Sequence, residues 1–143
     1  MSDLCNELRQ LILNERMTEI ELQKATEIIQ NLRNSNCDNK FIYSIYVLDR
    51  CLDFVKIEPK TFSHYLISTL VNVLNMIKEQ KINSQLQIDN NRNIVVYIQQ
   101  KFIDGNDNEN SIVLYNMIIE MIKSNDKTTG GKKRRTKKRR TYR

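Results

Sequence analysis

Apolar residues recur at helical spacing along nearly the whole chain. Leu4, Leu8, Leu11 and Ile12 form one stripe, which predicts a first helix starting near Ser2. Thr18-Glu19-Ile20-Glu21 reads as a capping box: the Thr18 hydroxyl can accept from the backbone N–H of Glu21, and the Glu21 carboxylate can reach back. It predicts a second helix with Leu22, Ala25, Ile29 and Leu32 facing inward. A polar loop over Asn34–Asn39 follows, and Asp38 or Asn39 can cap a third helix over about Lys40–Lys56. That helix carries Phe41, Ile45, Leu48, Leu52 and Val55 on one face and Ile42, Tyr46, Val47 and Phe54 on its flanks. Only Ser44, Asp49, Arg50 and Asp53 make a polar strip, so the third helix is expected to be central.

Pro59 suits a first helical turn, where its missing N–H has no intrahelical partner to lose. The fourth helix runs from there to about Gln80, with Phe62, Leu66, Leu70, Val73 and Ile77 on one face. A last helix is predicted over about Ser111–Ser124 from Leu114, Ile118, Met121 and Ile122. Residues 82–103 are ambiguous. Ile94, Ile98 and Phe102 share a helical face, yet Ile94-Val95-Val96-Tyr97-Ile98 is β-branched and aromatic and follows the turn-like Asn90-Asn91-Arg92-Asn93. A loop followed by a helix is preferred because the surroundings are helical; a β-hairpin over 82–98 is the alternative. The fold expected is all-α: an irregular bundle or short stack of five to six helices, with a disordered basic C-terminal tail. Wide apolar faces on these helices are either central or dock a protein partner, and the first reading is preferred.

Composition removes several function classes. The chain has 143 residues with three Gly, all at or after Gly105, so a glycine-rich phosphate cradle, a dinucleotide fingerprint and a Gly-x-Ser-x-Gly elbow are all excluded before it. Cys5, Cys37 and Cys51 are odd in number and contain no Cys-x-x-Cys pair, which argues against a disulfide-built secreted scaffold. No Asn-x-Ser/Thr sequon occurs, and the charged N-terminus does not read as a signal peptide. The longest charge-free run, Thr61–Ile77, includes Ser63, His64, Ser68, Thr69, Asn72 and Asn75 and falls short of a membrane span of about 20 apolar residues. The expectation is a soluble, intracellular protein.

Few constellations carry chemistry. His64 is the sole histidine, lies two positions after Phe62 and so points away from that helix's apolar stripe. A nucleophilic pair with Cys51 requires hydrogen-bond reach. Asp49 and Asp53 stand one helical turn apart and read as a solvated face beside Arg50. Asp104-Gly105-Asn106-Asp107-Asn108-Glu109 begins like a calcium loop, but its sixth and twelfth positions hold Glu109 and Tyr115 where Gly and Glu are required. No zinc set is present in the spacing of one His and three scattered Cys. No catalytic residue, metal or cofactor is expected, and the reading is non-enzymatic.

Charge divides the chain. The net +6 comes from residues 125–143, which carry ten basic side chains and one acid; residues 1–124 carry 13 basic against 16 acidic. The expected organisation is a helical domain over 1–124 and a polybasic tail over 125–143. Like charges repel and such a run buries little apolar surface, which is why disorder is expected. Lys132, Lys133, Arg134, Arg135, Lys137, Lys138, Arg139, Arg140 and Arg143 are the candidate nucleic-acid contacts. They neutralise phosphates without reading sequence, and only Tyr142 could stack on a base. Lys132-Lys133-Arg134-Arg135 also reads as a nuclear-import cluster. An anionic membrane surface ranks third because no lipidation signal accompanies the run.

The stretch Thr129-Gly130-Gly131-Lys132-Lys133-Arg134-Arg135-Thr136-Lys137-Lys138-Arg139-Arg140-Thr141 resembles the C-terminal tails of many proteins of giant DNA viruses of the mimivirus kind. The 18 Ile, 17 Asn and 13 Lys of the whole chain fit the bias of an AT-rich genome. The resemblance covers about a tenth of the chain and implies a viral origin, with the host cytoplasm or virion as its setting and the nucleus as another destination. It implies no activity. The function expected is a helical binding protein whose tail contacts nucleic acid nonspecifically; the alternative is a helical scaffold or virion-associated protein whose tail is a targeting signal.

Overall fold

The computed structural model describes residues 3–14, 16–57, 62–104 and 109–138, with side chains over 4–14, 16–53, 65–104, 109 and 111–127. The fold is all-α. Helices α1 (Asp3–Ile12), α2 (Glu19–Leu32), α3 (Lys40–Ile57), α4 (Phe62–Glu79), α5 (Ile94–Ile98) and α6 (Glu109–Lys138) follow in order, with a π-helical turn over Gln99–Ile103 after α5. No strand occurs among the described residues. Within the body expected as one domain, the chain divides into two compact units, 1–76 and 77–143.

In the first unit, α1, α2 and α3 pack against one another. Thr18 caps α2 as its sequence requires: Glu21 N–H donates to the Thr18 hydroxyl at 3.2 Å, and Thr18 N–H donates to the Glu21 carboxylate at 2.9 Å. Leu22, Ala25, Ile29 and Leu32 are all buried. On α3, Phe41, Ile45, Val47, Leu48, Cys51 and Leu52 are buried, and so are Ser44 and Asp49. The polar strip is therefore not a solvated face over its first half. Ser44 is accommodated because its hydroxyl donates to the Lys40 carbonyl at 2.7 Å and lies 3.7 Å from the Met76 sulfur. A serine that returns its proton to its own helix can be buried at little cost. Tyr65 donates to Glu19, and Gln30 donates to Ser68, so α2 and the first part of α4 are neighbours.

Cys5 and Cys37 form a disulfide with Cα atoms 5.8 Å apart, and Cys51 is a buried free thiol. The cysteine count argued only against a disulfide framework. One bridge forms because folding brings the first helix beside the α2–α3 loop, across a sequence separation of 32.

In the second unit the loop-then-helix reading of residues 82–103 holds, and the hairpin alternative reduces to one bridge, Gln87 with Asn93. Asn93 is the reason the chain turns helical there: its side chain accepts from Val96 N–H at 2.9 Å and caps α5. Ile94, Ile98 and Phe102 are all fully buried on the face their spacing indicated. The π turn closes where Asp104 N–H reaches back five residues to the Gln99 carbonyl at 3.0 Å. On α6, Leu114, Ile118, Ile119 and Ile122 are buried, while Ile112, Val113 and Met117 stay exposed.

Helix α4 ends in a Schellman motif, with Ile82 N–H on the Ile77 carbonyl and Lys81 N–H on the Lys78 carbonyl. Its left-handed position is filled by Lys81 at φ 52°, where glycine is usual. The Asn125 amide reinforces the same end, donating to the Ile82 carbonyl at 2.7 Å and the Ile77 carbonyl at 3.2 Å. Asp126 accepts from Ser84 N–H at 2.9 Å. The body's hydrogen bonds thus extend two residues into the segment read as tail. Beyond Lys127 the backbone of α6 continues through Lys138, and the side chains of 128–138 and all of 139–143 lie outside the described residues.

Two stability changes of opposite sign follow. Left-handed backbone costs a non-glycine residue about 1–2 kcal/mol, partly offset by the entropy of an unfolded glycine, so Lys81→Gly is expected to stabilise by about 0.5–1 kcal/mol. Asn125→Ala removes two hydrogen bonds and is expected to destabilise by about 1–2 kcal/mol. Urea unfolding monitored by circular dichroism measures both, with an unchanged denaturant slope.

Candidate nucleic-acid interface

Helix α6 runs through Lys138, so the backbone of Lys132, Lys133, Arg134, Arg135, Lys137 and Lys138 forms its C-terminal turns. Their side chains lie outside the described residues, and Arg139, Arg140 and Arg143 lie outside them altogether. The structure therefore joins six of the nine candidate phosphate contacts to one continuous helical backbone. It describes no side-chain geometry for any of the nine.

His64 belongs to α4, and its side chain lies outside the described residues. Cys51 is inert: its thiol lies 3.9 Å from the Thr69 hydroxyl and is pushed up to about 12 by burial, with the Asp49 carboxylate adding to the rise. A nucleophilic cysteine needs the opposite environment. Asp49 and Asp53 differ sharply, Asp49 being buried and Asp53 exposed. Asp49 lies 3.4 Å from the Arg50 guanidinium. Arg50 in turn donates to the Ile12 carbonyl at 2.8 Å and to the Asn14 carbonyl at 3.4 Å. The carboxylate thus steadies a side chain that closes the C-terminus of α1. Asp104 accepts from the Gln99 amide at 3.1 Å, and residues 105–108 of the calcium-like loop lie outside the described residues. No group of three or more His, Cys, Asp or Glu side chains suited to a metal ion occurs among the described residues.

An open groove of about 350 Å³ runs beside α1 and α2, lined by Asn6, Glu7, Gln10, Asn14, Glu21 and Lys24. Its carboxylate Glu21 is already engaged by Thr18 N–H and, at 3.0 Å, by the Asn14 amide. The groove offers amides and charges at the surface but no buried acid, base or nucleophile.

A cluster the residue spacing did not signal sits before α5. Arg92 grips the Asp89 carboxylate at 2.6 and 3.1 Å, donates to Gln100 at 3.0 Å, and lies 4.9 Å above the buried Tyr97 ring. Lys101 approaches the same ring at 5.9 Å. Both cations lie within the range at which the negative quadrupole of the Tyr97 ring attracts them, which stabilises the loop. Tyr97 is itself buried, so this cluster fixes the loop and does not offer the ring for base stacking. The turn-like asparagines marked the place; the ring eight or fewer residues away gave no sequence signal of the contact.

No helix among the described residues is long and apolar enough to cross a membrane. No family model, no curated protein and no solved structure matches the chain.

Hydrogen bonding from Arg92 holds the Asp89 carboxyl below the usual range, helped by the backbone N–H of Asn91. A lowered folded value means that the stabilisation is complete above the unfolded Asp value of about 3.9 and disappears as pH falls through the folded value. Carboxyl NMR titration is expected to place Asp89 below that reference, and Arg92→Gln should return it toward the reference. An unshifted Asp89 in the unaltered protein would contradict the cluster as described.

Proposed function

We propose that this chain is a non-enzymatic helical binding protein whose basic C-terminal segment holds nucleic acid through its phosphates. The observation that carries the reading is the charge of residues 131–143: nine Lys or Arg and no acid, following a body with more acids than bases. Cationic side chains displace condensed counterions from the phosphate backbone, and that gain needs no base contact and no fixed pocket. The body's side of the function is protein contact, supported by the exposed apolar side chains Ile67 and Val71 on α4 and Ile112, Val113 and Met117 on α6. The tail's likeness to those of giant-virus proteins fits a viral protein acting in infected cytoplasm or in the virion.

A second reading rests on Lys132-Lys133-Arg134-Arg135, which suits a nuclear-import receptor as well as a phosphate backbone. Residues 125–143 fused to a fluorescent protein would then accumulate in the nucleus.

The binding reading is tested by salt. Engaging six phosphates on duplex DNA gives a log–log slope of affinity against salt of about −5. Full-length protein is expected to show a slope near this value on duplexes of unrelated sequence. A full-length variant with Lys132, Lys133, Arg134, Arg135, Lys137, Lys138, Arg139, Arg140 and Arg143 all changed to Gln should lose most of the slope and the affinity. Substitution is preferable to ending the chain at Ser124, because that cut removes Asn125 and Asp126 from the helical body. Equal binding by both proteins would remove the role given to the tail.

A further inference from the structure

Helix α1 is held to its unit by unlike attachments at its two ends. Its C-terminal half is held by buried Leu8 and Ile12 and by the Arg50 guanidinium on the Ile12 and Asn14 carbonyls. Its N-terminal half has little comparable: Leu4, Asn6 and Glu7 are exposed, and the half-buried Cys5 is joined covalently to Cys37 in the α2–α3 loop. We propose that the Cys5–Cys37 disulfide is a reversible redox latch on α1, whose reduction releases the N-terminal half of the helix while the rest of the unit keeps its packing.

The chemistry is a thiol–disulfide exchange with a dithiol. One thiolate of the reductant attacks the sulfur of Cys5, the less buried residue of the pair, and the Cys5–Cys37 bond breaks, leaving Cys37 as thiolate. The second thiolate of the reductant then displaces Cys5. Two electrons and two protons pass to the protein, which ends with two thiols, and the dithiol ends as its own disulfide. Exchange stays confined to this pair because the third cysteine, Cys51, is 2% exposed and its thiol resists ionisation. The latch has two covalent states and no third pairing to drift into. Compartments that reduce thiols open it, and oxidising surroundings close it.

Local opening, not global loss, is what the attachments predict. Leu8, Ile12 and the Arg50 contacts are untouched by reduction, whereas the first turns of α1 lose their one covalent hold. Hydrogen exchange read by mass spectrometry on the full chain tests this, with and without dithiothreitol. Amides of residues 7–10 are expected to exchange roughly tenfold faster in the reduced protein, while those of 25–29 in α2 and 45–51 in α3 keep their rates. A Cys5→Ser, Cys37→Ser double variant should match the reduced protein without any reductant. Oxidised glutathione added after reductant removal should restore the slow exchange. Thiol titration in denaturant of unreduced protein should find one thiol, that of Cys51, and three after reduction. Three thiols before reduction, unchanged exchange in α1, or an equal rise in α1, α2 and α3 would each overturn the latch.

Discussion

Every helix must dispose of the backbone carbonyls at its C-terminus, and this chain has almost no glycine with which to do it. The usual device is a left-handed glycine just past the last turn, which lets the chain fold back and cover those carbonyls. With no glycine before Gly105, the helices of the first hundred residues end by other means. The carbonyls at the end of α1 receive the Arg50 guanidinium from α3. Beyond α2, the Lys40 ammonium donates to the Arg33 carbonyl at 2.6 Å and to the Ser35 carbonyl at 2.9 Å. The end of α4 takes a lysine into left-handed backbone and adds the Asn125 amide from α6. The Arg50 and Asn125 solutions convert a local requirement into a tertiary contact.

That conversion explains why polar residues stand where an amphipathic pattern puts the core. Asp49 is buried on α3 because Arg50 is aimed at α1, and a buried carboxylate beside a guanidinium costs far less than one alone. The same economy of partners accounts for the absence of a reactive constellation around it. Its neighbour Cys51 is buried against the Thr69 hydroxyl, and the nearby negative charge further opposes ionisation. Asp49 and Cys51, which look like candidate chemistry in the sequence, are in the structure consumed in steadying the arginine that closes α1 and in filling the α3–α4 contact.

What could be read from the sequence was what depends on near neighbours. The Thr18–Glu21 capping box is a three-residue relation, and the burial of Ile94, Ile98 and Phe102 follows from one periodicity. Both emerged in the structure as their spacing required. The Arg50 and Asn125 contacts span 36 to 48 residues, and no local pattern marks an arginine or an asparagine as the cap of a distant helix. The Cys5–Cys37 bridge was hidden for the same reason. Asp49 reads in the sequence as part of a solvated face but is buried beside Arg50, and Ser44 on the same strip is buried because its hydroxyl bonds back to its own helix, compensations that hydropathy alone does not reveal. The basic segment is the opposite case: its character is compositional, so the sequence displays all of it and the described side chains add nothing to it.

Asn125 and Asp126 locate the change from one kind of physics to the other. Asn125 and Asp126 have assigned partners at hydrogen-bond distance, Asn125 on the carbonyls at the end of α4 and Asp126 on the Ser84 N–H just beyond it. From Lys132 onward the repeated Lys and Arg need no assigned partner, because a cation can neutralise any phosphate within reach. A site of the first kind would show itself in geometry, and the body's geometry is directed inward, toward its own carbonyls. A site of the second kind shows itself in charge density. The nucleic-acid part of the proposed function therefore rests on the segment where side chains are interchangeable, and the structured body adds its exposed apolar side chains and the point at which that segment begins.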